Sequence, residues 1–97
     1  MSEGMVARRY VVTGRVQGVG YRNFVEHTAG KIGLDGYVRN RRDGSVEVFA
    51  MGTPEELQKL RAALQHGPMM AQVRHVAEEP SDVEAKYVGI FTVEFTE

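Results

Sequence analysis

The sequence contains no cysteine and no long apolar run. The lack of cysteine excludes disulfide bonds, thiolate nucleophiles and thiolate metal ligands, and it is compatible with a reducing compartment. No apolar stretch approaches the roughly 20 residues that a membrane-spanning helix requires. The first residues, Met-Ser-Glu-Gly, lack the basic and then apolar pattern of a signal peptide. We therefore expect a cytoplasmic protein that does not associate with membranes.

Size and composition predict one globular domain. The chain has 97 residues, of which 42% are hydrophobic and 26% are charged, proportions that are ordinary for a globular protein. A chain of this length supports one core of modest size. We expect a single domain over residues 1–97, with residues 1–4 as a loose tail.

Charge is unevenly distributed along the chain. The net charge of −1 argues against bulk nucleic-acid binding. Residues 1–42 hold eight Lys/Arg and three Asp/Glu, whereas residues 43–97 hold four and ten. This asymmetry is compatible with a small anion-attracting face, and equally with two solvated surfaces.

The hydrophobic pattern predicts alternating strands and helices. The predicted strands are 5–14, 36–42, 45–51, 72–79 and 88–95, and the predicted helices are 21–32 and 54–66. Thr53 and Glu56 form a capping-box pattern at the second helix, and Asp43-Gly44 indicates a hairpin. The order predicts an α+β, ferredoxin-like βαββαβ fold, with a mostly antiparallel sheet, both helices on one face and an extra C-terminal strand. In that last strand, Phe91, Val93 and Phe95 should share one face; the sheet edge it occupies stays open.

One stretch, Gly14 to Arg22, has the features of an anion-binding loop. It joins a predicted strand to a predicted helix, and its glycines let successive backbone N–H groups turn toward one point. The helix N-terminus adds partial positive charge, and the guanidinium of Arg22 adds a donor fork suited to phosphate oxygens. The stretch predicts a phosphate or carboxylate site made by residues 16–22. A plain tight turn with a surface arginine is the alternative, since neither common nucleotide-loop spacing is present.

A second candidate residue, Asn40, lies in the first predicted hairpin. Because side chains alternate along a strand, Asn40 should face the opposite side of the sheet from Arg39 and Arg41. In this plan the hairpin can bring Asn40 near the loop that follows the first strand. Its amide could bind and orient a water molecule, although an asparagine near a turn is also commonly a turn former.

Together the two stretches carry a family resemblance. They read Gly14-x-Val16-Gln17-Gly18-Val19-x-Tyr21-Arg22 and Gly36-Tyr37-Val38-x-Asn40-x-x-x-Gly44-x-Val46, followed by Gly52. In this order and at this distance they resemble the acylphosphatase family. The similarity runs from Val6 to Phe95, and it implies the ferredoxin-like fold that the element order also predicts.

The resemblance implies hydrolysis of the carboxyl–phosphate bond of a small acyl phosphate, without a metal and without a cofactor. The family's phosphate-binding arginine falls on Arg22, and its water-orienting asparagine falls on Asn40. Its phosphate-binding backbone amides fall on Val16, Gln17, Gly18, Val19, Gly20 and Tyr21. Inorganic phosphate or another anion would occupy the same cradle. Two positions depart from the family pattern: Tyr21 replaces a frequent phenylalanine, and Arg41 replaces a common small hydroxyl residue.

Other functions stay open at this point. A ferredoxin-like module could bind a phosphate-bearing ligand or RNA without hydrolysis, or could serve a larger assembly that uses carbamoyl phosphate. Intact Arg22 and Asn40 favour the enzyme, and the hairpin arginines lack the interleaved aromatic residues of RNA-binding strands. Three scattered histidines, His27, His66 and His75, indicate surface or half-buried side chains rather than ligands or bases. We expect a monomer that binds no nucleic acid.

Overall fold

A computed structural model describes residues 4–97. The predicted loose tail falls mostly on residues 1–3, which lie outside the described residues, and Gly4 is exposed without regular structure. The elements, in chain order, are β1 (Val6–Arg15), α1 (Tyr21–Ile32), β2 (Asp35–Asn40), β3 (Val46–Gly52), α2 (Pro54–His66), β4 (Gln72–Ser81), a 3-10 turn (Ala85–Tyr87) and β5 (Phe91–Val93).

The five strands form one sheet in the order β4-β1-β3-β2-β5. The pairs β1–β3, β1–β4 and β2–β3 are antiparallel, and β5 runs parallel to β2 at the sheet edge. Both helices pack on one face, where Val25 of α1 and Leu60 of α2 are fully buried in one cluster with strand residues such as Val48. This arrangement confirms the predicted ferredoxin-like fold. It also shows which sheet edge the last strand occupies, since β5 lies beside β2.

The second helix begins as its sequence predicts. The Glu56 N–H donates to Thr53 Oγ1 at 3.2 Å, and the Thr53 N–H donates to Glu56 Oε1 at 2.9 Å. Pro54 occupies the first turn, where its missing N–H would have no intrahelical partner. The apolar stripe of α2 is buried against the sheet and consists of Leu57, Leu60 and Leu64.

The last strand is shorter than the sequence predicts. Residues 88–90 form turns instead, because Gly89 adopts a left-handed φ of 86° and the Ile90 N–H donates to Tyr87 O. Phe91 and Val93 pack against the core, but Phe95 lies beyond the end of β5 and is 95% exposed, so the prediction that all three share one face of the strand is wrong. The β-type alternation ends at Val93 because the chain beyond it makes only isolated hydrogen bonds to β2.

A glycine sets the geometry at the end of β1. The register between β1 and β4 shifts between Thr13 and Gly14, which is a β-bulge. Gly14 has φ of 125°, and a Cβ there would lie 2.2 Å from Gln72 O. Only glycine therefore permits this close approach, which directs the chain from β1 into the loop before α1.

Two glycine substitutions should change stability in opposite directions. Gly14→Ala should lower the free energy of unfolding by more than about 2 kcal/mol, because the new Cβ meets backbone at positive φ. Gly30→Ala should raise it by about 0.5–1 kcal/mol, since Gly30 is an exposed position of α1 with open space around it. Urea denaturation of both variants measures the pair. A Gly14→Ala protein as stable as the natural sequence would contradict the bulge geometry.

Candidate functional site

The loop after β1 and the end of β2 enclose a small cavity of about 110 Å³. It is lined by Val16, Gly18, Gly20, Tyr21, Arg22, Asn23 and Asn40. The structure therefore brings together Arg22 and Asn40, which are far apart in sequence and belong to different elements. Antiparallel pairing of both β1 and β2 with β3 produces this meeting, because the end of β1 and the end of β2 reach the same end of the sheet.

The backbone of the loop presents free donors to the cavity. Gly18 and Gly20 line the cavity and adopt left-handed φ values of 74° and 78°, a conformation that lets successive peptide N–H groups converge on one point. Gly20 caps α1 but has no side chain that could accept a hydrogen bond from the first turn. Among the loop and cap hydrogen bonds of residues 4–97, none is donated by an amide of residues 18–23. These amides are thus available to an anion.

The local charge also favours an anion. Arg22 lies half-buried in the first turn of α1, a turn that contains no acidic residue. Within the part of the chain that the structure describes, no carboxylate forms an ion pair with Arg22. A helix N-terminus carries partial positive charge of about half an elementary charge. Its field and the guanidinium act on the same small volume.

Asn40 supplies an oriented amide on the opposite side of the cavity. It is the last residue of β2 and pairs with Val46 of β3. Its backbone carbonyl accepts a hydrogen bond from the Glu97 N–H at 3.1 Å. Its side-chain Oδ1 is enclosed and accepts no hydrogen bond from any donor in residues 4–97. A buried amide oxygen normally has a partner, so this atom stands out as an acceptor that the described residues leave unsatisfied.

Arg39 lies on the other face of the sheet, as the strand alternation predicts. Its guanidinium forms ion pairs with Glu47 and Glu97, each at 3.2 Å, and lies over the Tyr37 ring. Glu47 is only 2% exposed and also accepts a hydrogen bond from the Tyr37 hydroxyl. Arg39 is therefore committed to a structural cluster on the other face of the sheet and does not line the cavity.

In residues 16–21 the side chains mostly attach the loop to the rest of the protein, whereas the glycines contribute backbone to the cavity. Val16 and Tyr21 are buried in the core, and Val19 packs against it. The Tyr21 hydroxyl donates to Leu64 O of α2 at 2.7 Å, and burial raises the pKa of this phenol well above its ordinary value. The Gln17 side chain turns to the β2–β3 turn and does not line the cavity. Gly18 and Gly20 line it with backbone alone.

Sequence reasoning missed Asn23, which also lines the cavity. The available signal was its position three residues after the Gly20 cap, where a side chain stands beside free helix amides. His27, His66 and His75 are all exposed, and residues 4–97 contain no group of three or more His, Cys, Asp or Glu that could hold a metal ion. No helix in that range is long and apolar enough to cross a membrane.

Comparison with known proteins links this geometry to one family. A family model described as acylphosphatase matches residues 8–93. A protein of Koribacter versatilis named acylphosphatase is 51% identical over 84 residues, which cover 87% of this chain and 76% of that protein. One of Vibrio cholerae with the same name is 47% identical over 81 residues, covering 84% of this chain and 89% of that protein.

Solved structures give the same result. The crystal structure of acylphosphatase from Bacillus subtilis superimposes with a TM-score of 0.86 at 36% identity, covering 92% of this chain and 98% of that one. The similarity therefore extends over the sheet and both helices as well as the cavity loop.

The Tyr21 hydroxyl should contribute measurably to stability. Leu64 O is in the last turn of α2, where carbonyls lack intrahelical partners. Tyr21→Phe should therefore lower the free energy of unfolding by about 1–2 kcal/mol in urea denaturation. Tyr10→Phe is a matched control, because the Tyr10 hydroxyl donates at 3.3 Å to Leu57 O, inside the same helix. Equal losses in the two variants would contradict this assignment.

Proposed function

The chain belongs to the acylphosphatase family, and we propose that it hydrolyses the carboxyl–phosphate bond of acyl phosphates to a carboxylate and inorganic phosphate. The observation that carries this proposal is the single cavity that Arg22, Asn40 and the free loop amides share. Binding of a phosphoryl group would account for the loop amides and the Arg22 guanidinium, but not for the side-chain oxygen of Asn40 that the described residues also leave unpaired. A role in positioning the nucleophile would account for that oxygen as well.

The phosphoryl group of the substrate would be held by charge and by oriented donors. The amides of residues 16–21 and the guanidinium of Arg22 would contact its non-bridging oxygens. These donors are held by the fold before the substrate arrives, so little reorganisation accompanies the build-up of charge in the transition state. Phosphoryl transfer depends mainly on such stabilisation and on positioning.

Asn40 would orient the attacking water. Its Oδ1 accepts a hydrogen bond from one O–H of the water, which directs an oxygen lone pair toward phosphorus. The water oxygen forms the new P–O bond as the bond from phosphorus to the carboxyl oxygen breaks in line with it. The bonding pair leaves with the carboxylate. Because a carboxamide is a poor base, the proton of the water passes to a phosphoryl oxygen, which leaves inorganic phosphate.

The proposed hydrolysis requires neither a metal ion nor a side chain that acts as a general acid. A carboxylate is a good leaving group and needs no protonation, and the positive charge comes from Arg22 and the helix N-terminus. We further propose that the protein acts as a cytoplasmic monomer on small acyl phosphates. The cavity would contact mainly the phosphoryl group of the substrate, so we expect little selectivity for the acyl group.

The central test is hydrolysis of benzoyl phosphate followed by ultraviolet absorbance. The natural sequence should turn over the substrate, and Arg22→Ala should reduce kcat/KM by about 10²–10³, the loss typical of a transition-state donor. Asn40→Ala should reduce kcat by a similar factor with a smaller effect on phosphate affinity, because it removes alignment of the water rather than contact with the anion.

Arg74→Ala is the control for the loss of an arginine. Arg74 is exposed on β4 and does not line the cavity, so this variant should retain full turnover. Urea denaturation should confirm that every variant is folded. A folded natural protein that binds phosphate without turnover would replace the enzyme with a phosphate-binding module, and turnover that survives Arg22→Ala would place the cradle on other residues.

Metal removal gives a separate test. Dialysis against a chelator should leave the rate of benzoyl phosphate hydrolysis unchanged, because no step of the proposal uses a metal ion. Readdition of Mg²⁺ or Zn²⁺ should restore nothing. A chelator-sensitive rate that a metal ion rescues would contradict the proposal that Arg22 and the loop amides provide the charge stabilisation.

A further inference from the structure

We infer that Gln17 is a positioning residue whose side chain sets the distance between the phosphate loop and Asn40. The inference rests on the proposed function, since it assigns a role within that reaction. Gln17 is in the loop but does not line the cavity, so its side chain is not needed there for contact with the anion. It points to the turn that joins β2 to β3.

The Gln17 amide group spans the two halves of the site. Its Nε2 donates to Arg41 O at 2.8 Å and to Ser45 O at 2.9 Å, so both amide hydrogens are used. Arg41 directly follows Asn40, and Gln17 directly precedes the cavity residue Gly18. One side chain thus ties the loop that would hold the phosphoryl group to the strand end that would hold the water.

The turn does not depend on Gln17 for its own shape. The Arg41 N–H donates to Ser45 O at 2.9 Å, and the Gly44 N–H donates to Arg41 O at 3.1 Å. The Asp43 carboxylate accepts from the Ser45 N–H at 2.9 Å and from the Ser45 hydroxyl at 2.6 Å, and these bonds lower the pKa of Asp43. Each carbonyl that Gln17 contacts therefore retains a backbone donor if Gln17 is replaced.

The loop is likewise attached to the core by other residues. Val16 is buried, and Tyr21 is anchored to α2 through its hydroxyl. Arg22 belongs to α1, whose position depends on the packing of that helix. The affinity for phosphate should consequently be retained when Gln17 is replaced, whereas the distance between the loop and Asn40 should change. A displacement of about 1 Å between reacting groups can cost about 10²-fold in rate.

The experiment compares Gln17→Met and Gln17→Glu with Gln58→Glu, the control at an exposed position of α2. Methionine keeps the length of the side chain without its donors, and glutamate places an acceptor against two carbonyls. Benzoyl phosphate kinetics, the Kd of inorganic phosphate by calorimetry, and urea denaturation are measured for each. We expect kcat to fall about 10- to 100-fold in both Gln17 variants, with Kd for phosphate changed less than about threefold and with Gln58→Glu unchanged.

A double-mutant cycle separates positioning from a general structural role. If Gln17 acts through Asn40, Gln17→Met should reduce kcat much less in the Asn40→Ala background than in the natural one. Equal reductions in both backgrounds, or a kcat like that of the natural sequence, would overturn the inference. Kd and kcat/KM falling together with stability would also overturn it. An inactive natural protein would instead refute the proposed function, so the two failures are distinguishable.

Discussion

The free N-terminus of α1 is the constraint on which the site depends. The first turn of a helix has N–H groups without intrahelical partners, and most helices satisfy some of them with a side chain. This chain does so at α2, where Thr53 and Glu56 exchange both hydrogen bonds of a capping box. At α1 it places Gly20 instead, without a side-chain cap. Glycine in place of a capping side chain costs about a few tenths of a kcal/mol, and an anion bound at the same amides would offset that cost.

Because the loop before α1 is not stabilised by its own cap, neighbouring elements hold it. Gly14 lets β1 approach β4 closely at the bulge, Tyr21 bonds to the end of α2, and Gln17 bonds to the β2–β3 turn. The attachments come from three directions, and each contacts backbone rather than a long flexible side chain. A rigid loop is what preorganised donors require. Packing of the ferredoxin-like sheet is therefore directly linked to the geometry of the cavity.

Most of the fold, and the meeting of Arg22 and Asn40 at one cavity, could be predicted from the sequence because local signals agree with tertiary packing there. The spacing of apolar residues predicted both helices, and Gly33 and the capping box predicted where they end or begin. Arg22 and Asn40 were predicted from motifs that lie on these elements. The last strand could not, because Phe95 alternates correctly with Phe91 and Val93 but no element covers it. The side chain of Gln17 gave no pattern either. Its contacts depend on how a loop meets a distant turn, which local periodicity does not encode.

The uneven charge along the chain acquires meaning only in the folded structure. Antiparallel pairing places Arg8 and Arg9 of β1 beside Glu78 and Glu79 of β4, where they form ion pairs, and Arg39 pairs with Glu47. The remaining arginines of the first 42 residues are Arg15, Arg22, Arg41 and Arg42, and none has an ion pair within the described part of the chain. All four belong to the end of β1, the start of α1 or the turn after β2. Sheet pairing thus offsets the charge of Arg8, Arg9 and Arg39, whereas the arginines at the cavity end of the sheet keep theirs, which favours the approach of an anion.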